Sequence, residues 1–316
     1  MKLIHFSQRG NTMNIKKYET FVRVVEQGSL TRAAELMGCT QSAVSHTLND
    51  LEEEFGFQLL QRSRSGAKLT ENGARILPSV RGILNYYEQL NQTVASIQGL
   101  DTGAIRIGTV TSVGVHWLPG ILKQFGMMHP GIEFKLYSGD YGDLNQWLSE
   151  GSIDVGFLAL PAEDPGCECI PLVEDRLLAV LPADHPMANL PRFPVSEIAR
   201  EPFISLLESS DHDTRRVMEA AGLHANVRFT TKDDYAIIAM VEQGLGISIM
   251  PELLLQERTE HVVTMELVPR ASRLIGLAIP AVSRNNPATR SFADFVVEWI
   301  REKYGTEKTD WKKHQY

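Results

Sequence analysis

Apolar positions along the chain change their spacing twice, and each change marks a different kind of element. Tyr18, Phe21, Val22 and Val25 fall at i, i+3, i+4 and i+7, which predicts an amphipathic helix that stops at Gly28. Ser29 caps a second helix over 30–37, where Ala33 and Ala34 are small enough for two helices to approach closely. Gly38 makes the turn, and Thr40 caps a third helix running to Phe55, with Val44, Leu48 and Leu51 on its buried stripe. Residues 57–60 and 67–69 read as short strands around Arg62-Ser63-Arg64-Ser65-Gly66, a basic hairpin tip. From 71 to 98 the spacing becomes 4-3-4-3-4-3 through Ile76, Val80, Ile83, Tyr87, Leu90, Val94 and Ile97, an a/d seam over three heptads. Pro78 predicts a bend there, or a later effective start.

After 99–103 (GLDTG), strands alternate with helices. Strands are predicted over 105–110, 132–137 and 153–158, with Thr111-Ser112 capping a helix over 113–128 and a further helix over 141–150. A second unit follows: strands at 176–181, 203–206, 227–230, 247–249 and 274–280, with helices at 214–221, 235–243 and 291–303. This order argues two α/β lobes built on parallel sheet. The predicted organisation is an extension over 1–12 with Met13 as an alternative start, a helical head over 13–70, a linker helix over 71–98, a hinge over 99–103, a two-lobed body over 104–304 and a flexible tail over 305–316.

Composition narrows the class. At 316 residues, 43% hydrophobic and 22% charged, the chain suits two folded domains and excludes a disordered one. No apolar run reaches the ~18–20 residues of a membrane span. The first 12 residues lack a signal peptide's apolar region. Three cysteines form no paired framework, which points to a reducing compartment, the cytoplasm. Cys39 reads as a small packed thiol in the turn. The net charge of −8 is uneven: +2 over residues 1–70 and −10 over 99–316. An acidic body repels nucleic acid, so any such contact belongs to the head.

Two helices joined by a short glycine-containing turn have the helix-turn-helix spacing, and a basic hairpin beside them makes a winged variant. The residues placed at double-stranded DNA are Thr40, Gln41, Ser42, Ser45 and His46 on the third helix, with Arg62 and Arg64 on the wing. A helical bundle with a polar outer face fits the same pattern. The linker seam, Ile76, Val80, Ile83, Tyr87, Leu90 and Val94, is assigned to pairing with a second copy, and packing within one chain is the alternative.

The runs SLTRAAEL from Ser29, Gln41-Ser42-Ala43-Val44-Ser45, Leu51-Glu52-x-x-x-Gly56 and Leu69-Thr70-x-x-Gly73 together resemble the LysR-type transcriptional regulators. The resemblance continues through Ile105-Arg106-Ile107-Gly108, Leu118-Pro119, His129-Pro130, Ile153-Asp154-Val155-Gly156, His185-Pro186 and Gly244-Leu245-Gly246-Ile247 to Pro251. It implies a dimerising linker helix, tetramers through the bodies, and an effector domain similar to periplasmic binding proteins. One departure stands out: His46-Thr47-Leu48-Asn49-Asp50 holds no arginine or lysine where the family is often arginine-rich, which implies weaker nonspecific DNA affinity.

Strand ends and helix starts predict an effector cleft at Thr111, Ser112, Ser138, Gly139, Asp140, Ala159 and Leu160 from one lobe and Ser205, Leu206, Thr230 and Gly246 from the other. A small anion is expected, with a neutral polar ligand second, because these positions include no Arg or Lys. No phosphate-binding glycine loop, zinc-protease helix or serine elbow occurs, so neither catalysis nor a cofactor is expected. Cys167-Glu168-Cys169 and Asp211-His212-Asp213 read as loop and cap rather than metal sites. Two rivals remain: a solute-binding protein whose head recognises another protein, and an enzyme whose head is a targeting element.

Overall fold

The computed structural model describes residues 14–63, 66–97, 102–207, 212–256 and 261–305. The chain divides into two compact units, residues 1–88 and 89–316. The expected extension, most of the hinge and all but Gly305 of the tail lie outside the described residues.

The first unit opens with α1 (Ile15–Gln27), α2 (Leu30–Leu36) and α3 (Gln41–Phe55). Asn14, Ser29 and Thr40 cap their amino ends, each side chain accepting a backbone N–H that the helix leaves unbonded. Gly28 and Gly56 end α1 and α3 in the left-handed region, where a side chain is strained. Phe21, Val24, Ala33, Ala34, Val44, Leu48 and Leu51 form the core. Cys39 is exposed, not packed, because it follows the turn glycine and only its N–H reaches back to Ala34 O, at 3.0 Å.

The hairpin is β1 (Leu60–Ser63) against β2 (Gly66–Leu69). Its first strand starts later than expected. Glu52 Oε1 accepts from the N–H groups of Leu59 and Leu60, at 2.7 and 3.1 Å, and holds the chain before β1 on the end of α3. Arg62 therefore sits within a strand instead of at the tip. Ala67 N–H donates to Gly28 O at 2.8 Å, which docks the hairpin on the end of α1. Then α4 (Glu71–Ile97) runs unbroken through Pro78. The proline removes one N–H from the helical ladder without ending it.

The second unit is a two-lobed α/β body. Its first lobe holds β3 (Thr102–Thr109), α5 (Thr111–His116), α6 (Leu118–Met128), β4 (Gly131–Ser138), α7 (Tyr141–Ser149) and β5 (Val155–Ala159). The single helix expected over 113–128 is two. It starts at Thr111 with Val110 as its uncapped boundary, and Pro119, which lacks an N–H, restarts it after Trp117. The long β6 (Glu168–Pro182) leaves this lobe for the second. There follow β7 (Phe193–Pro194), β8 (Pro202–Leu206), α8 (His212–Ala221), β9 (Asn226–Thr231), α9 (Asp234–Glu242), β10 (Ser248–Pro251) and α10 (Glu252–Leu255). Then β11 (Val262–Ile279) returns and α11 (Pro287–Tyr304) closes the first lobe.

The main sheet has the order β10-β6-β11-β5-β3-β4. Pairing is parallel for β4, β3 and β5, and for β8 with β9, as expected. The crossing strands β6 and β11 are antiparallel to their neighbours, so the sheet is mixed. Trp117, Phe125, Phe157 and Phe292 fill the first lobe's core, and separate clusters around Phe203 and Ile237 fill the second. Because β6 and β11 serve both lobes, residues midway along them stand at the junction.

Candidate functional site

In the first unit, Gln41, Ser42 and His46 are exposed on α3, opposite the buried Val44, Leu48 and Leu51. Thr40 is exposed too, but its hydroxyl accepts from Ala43 N–H at 3.2 Å as the helix cap. Ser45 accepts from Arg62 Nη1 at 2.9 Å, and Arg62 Nη2 donates to Glu52 Oε2 at 3.1 Å. Strand β1 thus brings its arginine to the polar face of α3. His46 Nδ1 lies 2.9 Å from Asp50 Oδ1, one helical turn on. A backbone hydrogen bond, followed by the Asp50 charge, raises the imidazole pKa above its ordinary value. Arg64 lies outside the described residues.

The seam on α4 divides. Val80 is 2% exposed and belongs to the core of the first unit, with Ile76 and Ile83 packed against it. Ile76 and Ile83 are half-buried there, each keeping part of its side chain at the surface. Tyr87, Leu90, Val94 and Ile97 are exposed, Leu90 by 59% and Ile97 by 80%.

Within the body, a cavity of about 300 Å³ opens between the lobes. Thr111, Ser112, Ser138, Gly139 and Asp140 line it from the first lobe and Leu206 from the second, as the strand ends predict. Five expected residues do not line it. Ala159 pairs with Ile275 in the sheet, and Leu160 packs over Gly276. Ser205 is buried within β8, Thr230 is exposed on the outer strand β9, and Gly246 lies against the Pro202 carbonyl, where no side chain fits. In each case the strand pairing of the second lobe, or the return of β11, turns the residue away.

The cavity floor is Arg273, 4% exposed. It stands opposite Asp175 where β11 pairs with β6. Its Nε and Nη2 donate to Asp175 Oδ2 at 2.9 and 2.7 Å, and Nη2 also reaches Ser112 Oγ at 2.8 Å. Nη1 donates to Tyr141 Oη at 2.8 Å and Asp213 Oδ2 at 3.3 Å. Tyr141 in turn donates to Asp213 at 3.0 Å, linking α7 of one lobe to α8 of the other. Burial opposes the Arg273 charge, but Tyr141, Asp175 and Asp213 together hold it and raise its pKa. For Tyr141 burial acts the other way, raising the pKa and keeping the phenol protonated. Ile237, Ile249, Met250 and Leu254 form an apolar wall from the second lobe.

Residues 15–74 match the family model for the bacterial regulatory helix-turn-helix of the lysR family, and residues 98–301 match the LysR substrate binding domain. The chain belongs to the LysR family of transcriptional regulators. It is 32% identical over 298 residues to the uncharacterised HTH-type transcriptional regulator YvbU of Bacillus subtilis (strain 168), covering 93% of this chain and 100% of that protein. It is 28% identical to a probable hydrogen peroxide-inducible genes activator of Mycobacterium avium, over 90% of this chain and 93% of that one. A full-length OxyR from Pseudomonas aeruginosa shares the fold with a TM-score of 0.74 at 21% identity, covering 90% of this chain and 95% of that chain. This LysR-type regulator therefore joins a DNA-binding head to an effector-binding domain.

Sequence reasoning missed Tyr141, Asp143, Asp213, Thr214, Lys232, Asp234 and Arg273 at the cavity. Arg273 left one trace, a charge beginning the apolar run Leu274-Ile275-Gly276-Leu277. Its partner Asp175 is 98 residues away, a distance that no local pattern bridges. Among the described residues no group of three or more His, Cys, Asp or Glu is placed to hold a metal ion, and Asp211 lies outside them.

Proposed function

We propose that this LysR-type regulator reads DNA through Gln41, Ser42, Ser45 and His46, with Thr40 shaping the start of α3 and Arg62 and Arg64 meeting backbone phosphate. Two copies pair through the exposed half of the α4 seam, Tyr87, Leu90, Val94 and Ile97, placing two reading helices on a two-fold axis. Bodies associate further into tetramers through exposed apolar side chains such as Met127, Met128, Leu136 and Phe229. It works where the DNA is, in the cytoplasm.

The effector occupies the cavity between the lobes, at Thr111, Ser112, Ser138, Gly139, Asp140 and Leu206 together with the Arg273 floor. The observation that carries this reading is the Tyr141–Arg273–Asp213 link, which ties both lobes to the wall of one cavity. A ligand that contacts both lobes favours one of their arrangements over another, and a regulator needs that difference. The role proposed for this cavity is binding, and Ser112 Oγ serves it by accepting from Arg273 Nη2 at the floor. Burial, then Asp164, pushes the Cys167 thiol up to about 12, where little thiolate exists to react.

An electrophoretic mobility shift on the full chain at graded salt tests the DNA reading. Specific retardation that weakens with salt supports it, and no retardation at low salt overturns it.

A further inference from the structure

The expected anion meets a cavity already supplied with carboxylates. Asp140 and Asp143 line it from the first lobe, Asp213 and Asp234 from the second, against the cations Lys232 and Arg273. The donors an anion would use are largely taken. All five N–H groups of Arg273 are directed at Asp175, Ser112, Tyr141 and Asp213. The amino end of α7 is closed by its own capping box, Asp140 accepting from Asp143 N–H at 2.9 Å and Asp143 from Asp140 N–H at 3.2 Å. Asp233 closes α9 in the same way, accepting from Tyr235 and Ala236 N–H at 2.9 and 3.3 Å. Lys232, exposed at the lining and not engaged by these bonds, can still meet a carbonyl or carboxylate oxygen.

We infer that the effector of this chain is a small molecule carrying an ammonium or guanidinium group on an apolar body. The inference rests on reading the cavity between the lobes as the effector site. The cationic end lies among the carboxylates of both lobes, and the apolar body lies on Ile237, Ile249, Met250 and Leu254. The volume of about 300 Å³ is at the small end of the ~300–1,000 Å³ range of ligand sites, which suits a small molecule with one ring or a short branched chain. Placed between Asp140 and Asp143 on one side and Asp213 and Asp234 on the other, a cation is attracted to carboxylates of both lobes at once. Binding therefore favours closer lobes without any new protein–protein contact.

The test is isothermal titration calorimetry of the full chain with two matched series: phenethylamine, L-phenylalanine, 2-phenylethanol and 3-phenylpropionate, then isoamylamine, L-leucine, isoamyl alcohol and 4-methylpentanoate. The compound that binds best in each series carries an ammonium group and exceeds the alcohol and the simple carboxylate by about tenfold, or about 1.4 kcal/mol. Asp234→Asn, at a half-buried lining position, lowers that preference severalfold. An alcohol or simple carboxylate that binds as well as the ammonium compounds overturns the inference, as does the absence of heat with every ammonium compound. Leu206→Trp, which fills the cavity from a half-buried strand end, separates the two readings, with Thr111→Tyr as a second filler should the first not fold. If the fillers abolish binding of a carboxylate or alcohol, the site stands and the charge inference fails. If ammonium compounds bind equally well to a folded filler variant, the site itself is misplaced.

Discussion

Arg62 and Ser45, 17 positions apart, are joined by a 2.9 Å hydrogen bond, and Glu52 holds the same guanidinium from the other side. Arg62 is thus held on the polar face of α3, partly neutralised but still exposed. Replacing Arg62 by Ala should weaken binding to all DNA sequences alike and reduce the salt slope by about 1, as fluorescence anisotropy at several salt concentrations will measure.

Gln41 and Ser42 are exposed in the first turn of α3. Each changed to Ala should cost ~1–3 kcal/mol at the specific site while leaving nonspecific affinity nearly unchanged. Equal affinity of the Gln41/Ser42/Ser45 triple alanine variant for specific and random DNA, both at wild-type strength, would show that another face docks.

His46 makes the head sensitive to pH. Its backbone hydrogen bond and Asp50 raise the imidazole pKa, so the charged form persists to higher pH than in an isolated histidine. As pH falls through that raised value, α3 gains a positive charge on a segment with no arginine or lysine. DNA affinity should rise with that fall at constant salt, and His46→Gln should flatten the profile. An unchanged profile in the variant would exclude His46 from the interface.

The head was the most legible part because its signals are local. Caps at Ser29 and Thr40, turn glycines and a 3.6-residue apolar stripe each act within a few positions. The body yielded its strands and helices for the same reason. Its cavity was only half legible: Thr111, Ser112, Ser138, Gly139 and Asp140 sit at strand ends that topology alone places together. Arg273 and Asp175 meet because β11 returns beside β6, a pairing that depends on the whole second lobe. The seam on α4 was legible as a seam only, since a heptad pattern records that a face is covered but not by what. Its first half covers the head's own core.

That division predicts different outcomes for two leucines on the same helix. Leu77, buried at 4% exposure, contributes to the head, and Leu77→Ala should cost ~2–5 kcal/mol of its stability in thermal unfolding. Leu90 is exposed, so Leu90→Glu should leave the fold intact by circular dichroism. Analytical ultracentrifugation should show that variant as monomers. A stable Leu90→Glu dimer would move the pairing surface off α4.

Arg273 and Asp175 are the buried ion pair on which the two lobes meet, and their loss is asymmetric. With Arg273 changed to Leu, Asp175 stays buried with Leu253 N–H, 2.9 Å away, as its remaining partner in that network, and Asp213 loses its link to the floor. An uncompensated buried charge of this kind costs about 3–5 kcal/mol. Urea unfolding of the full chain should show that loss in the transition of the body, with the head's transition unmoved. Changing Asp175 to Leu as well removes the stranded charge, and a pair of apolar side chains of similar volume is often neutral in such a position. The double variant should therefore recover much of the stability lost by Arg273→Leu, yet still lack the bonds to Tyr141 and Ser112 that shape the cavity floor. A single variant as stable as the parent would mean that water reaches Asp175 and that the floor of the cavity is open.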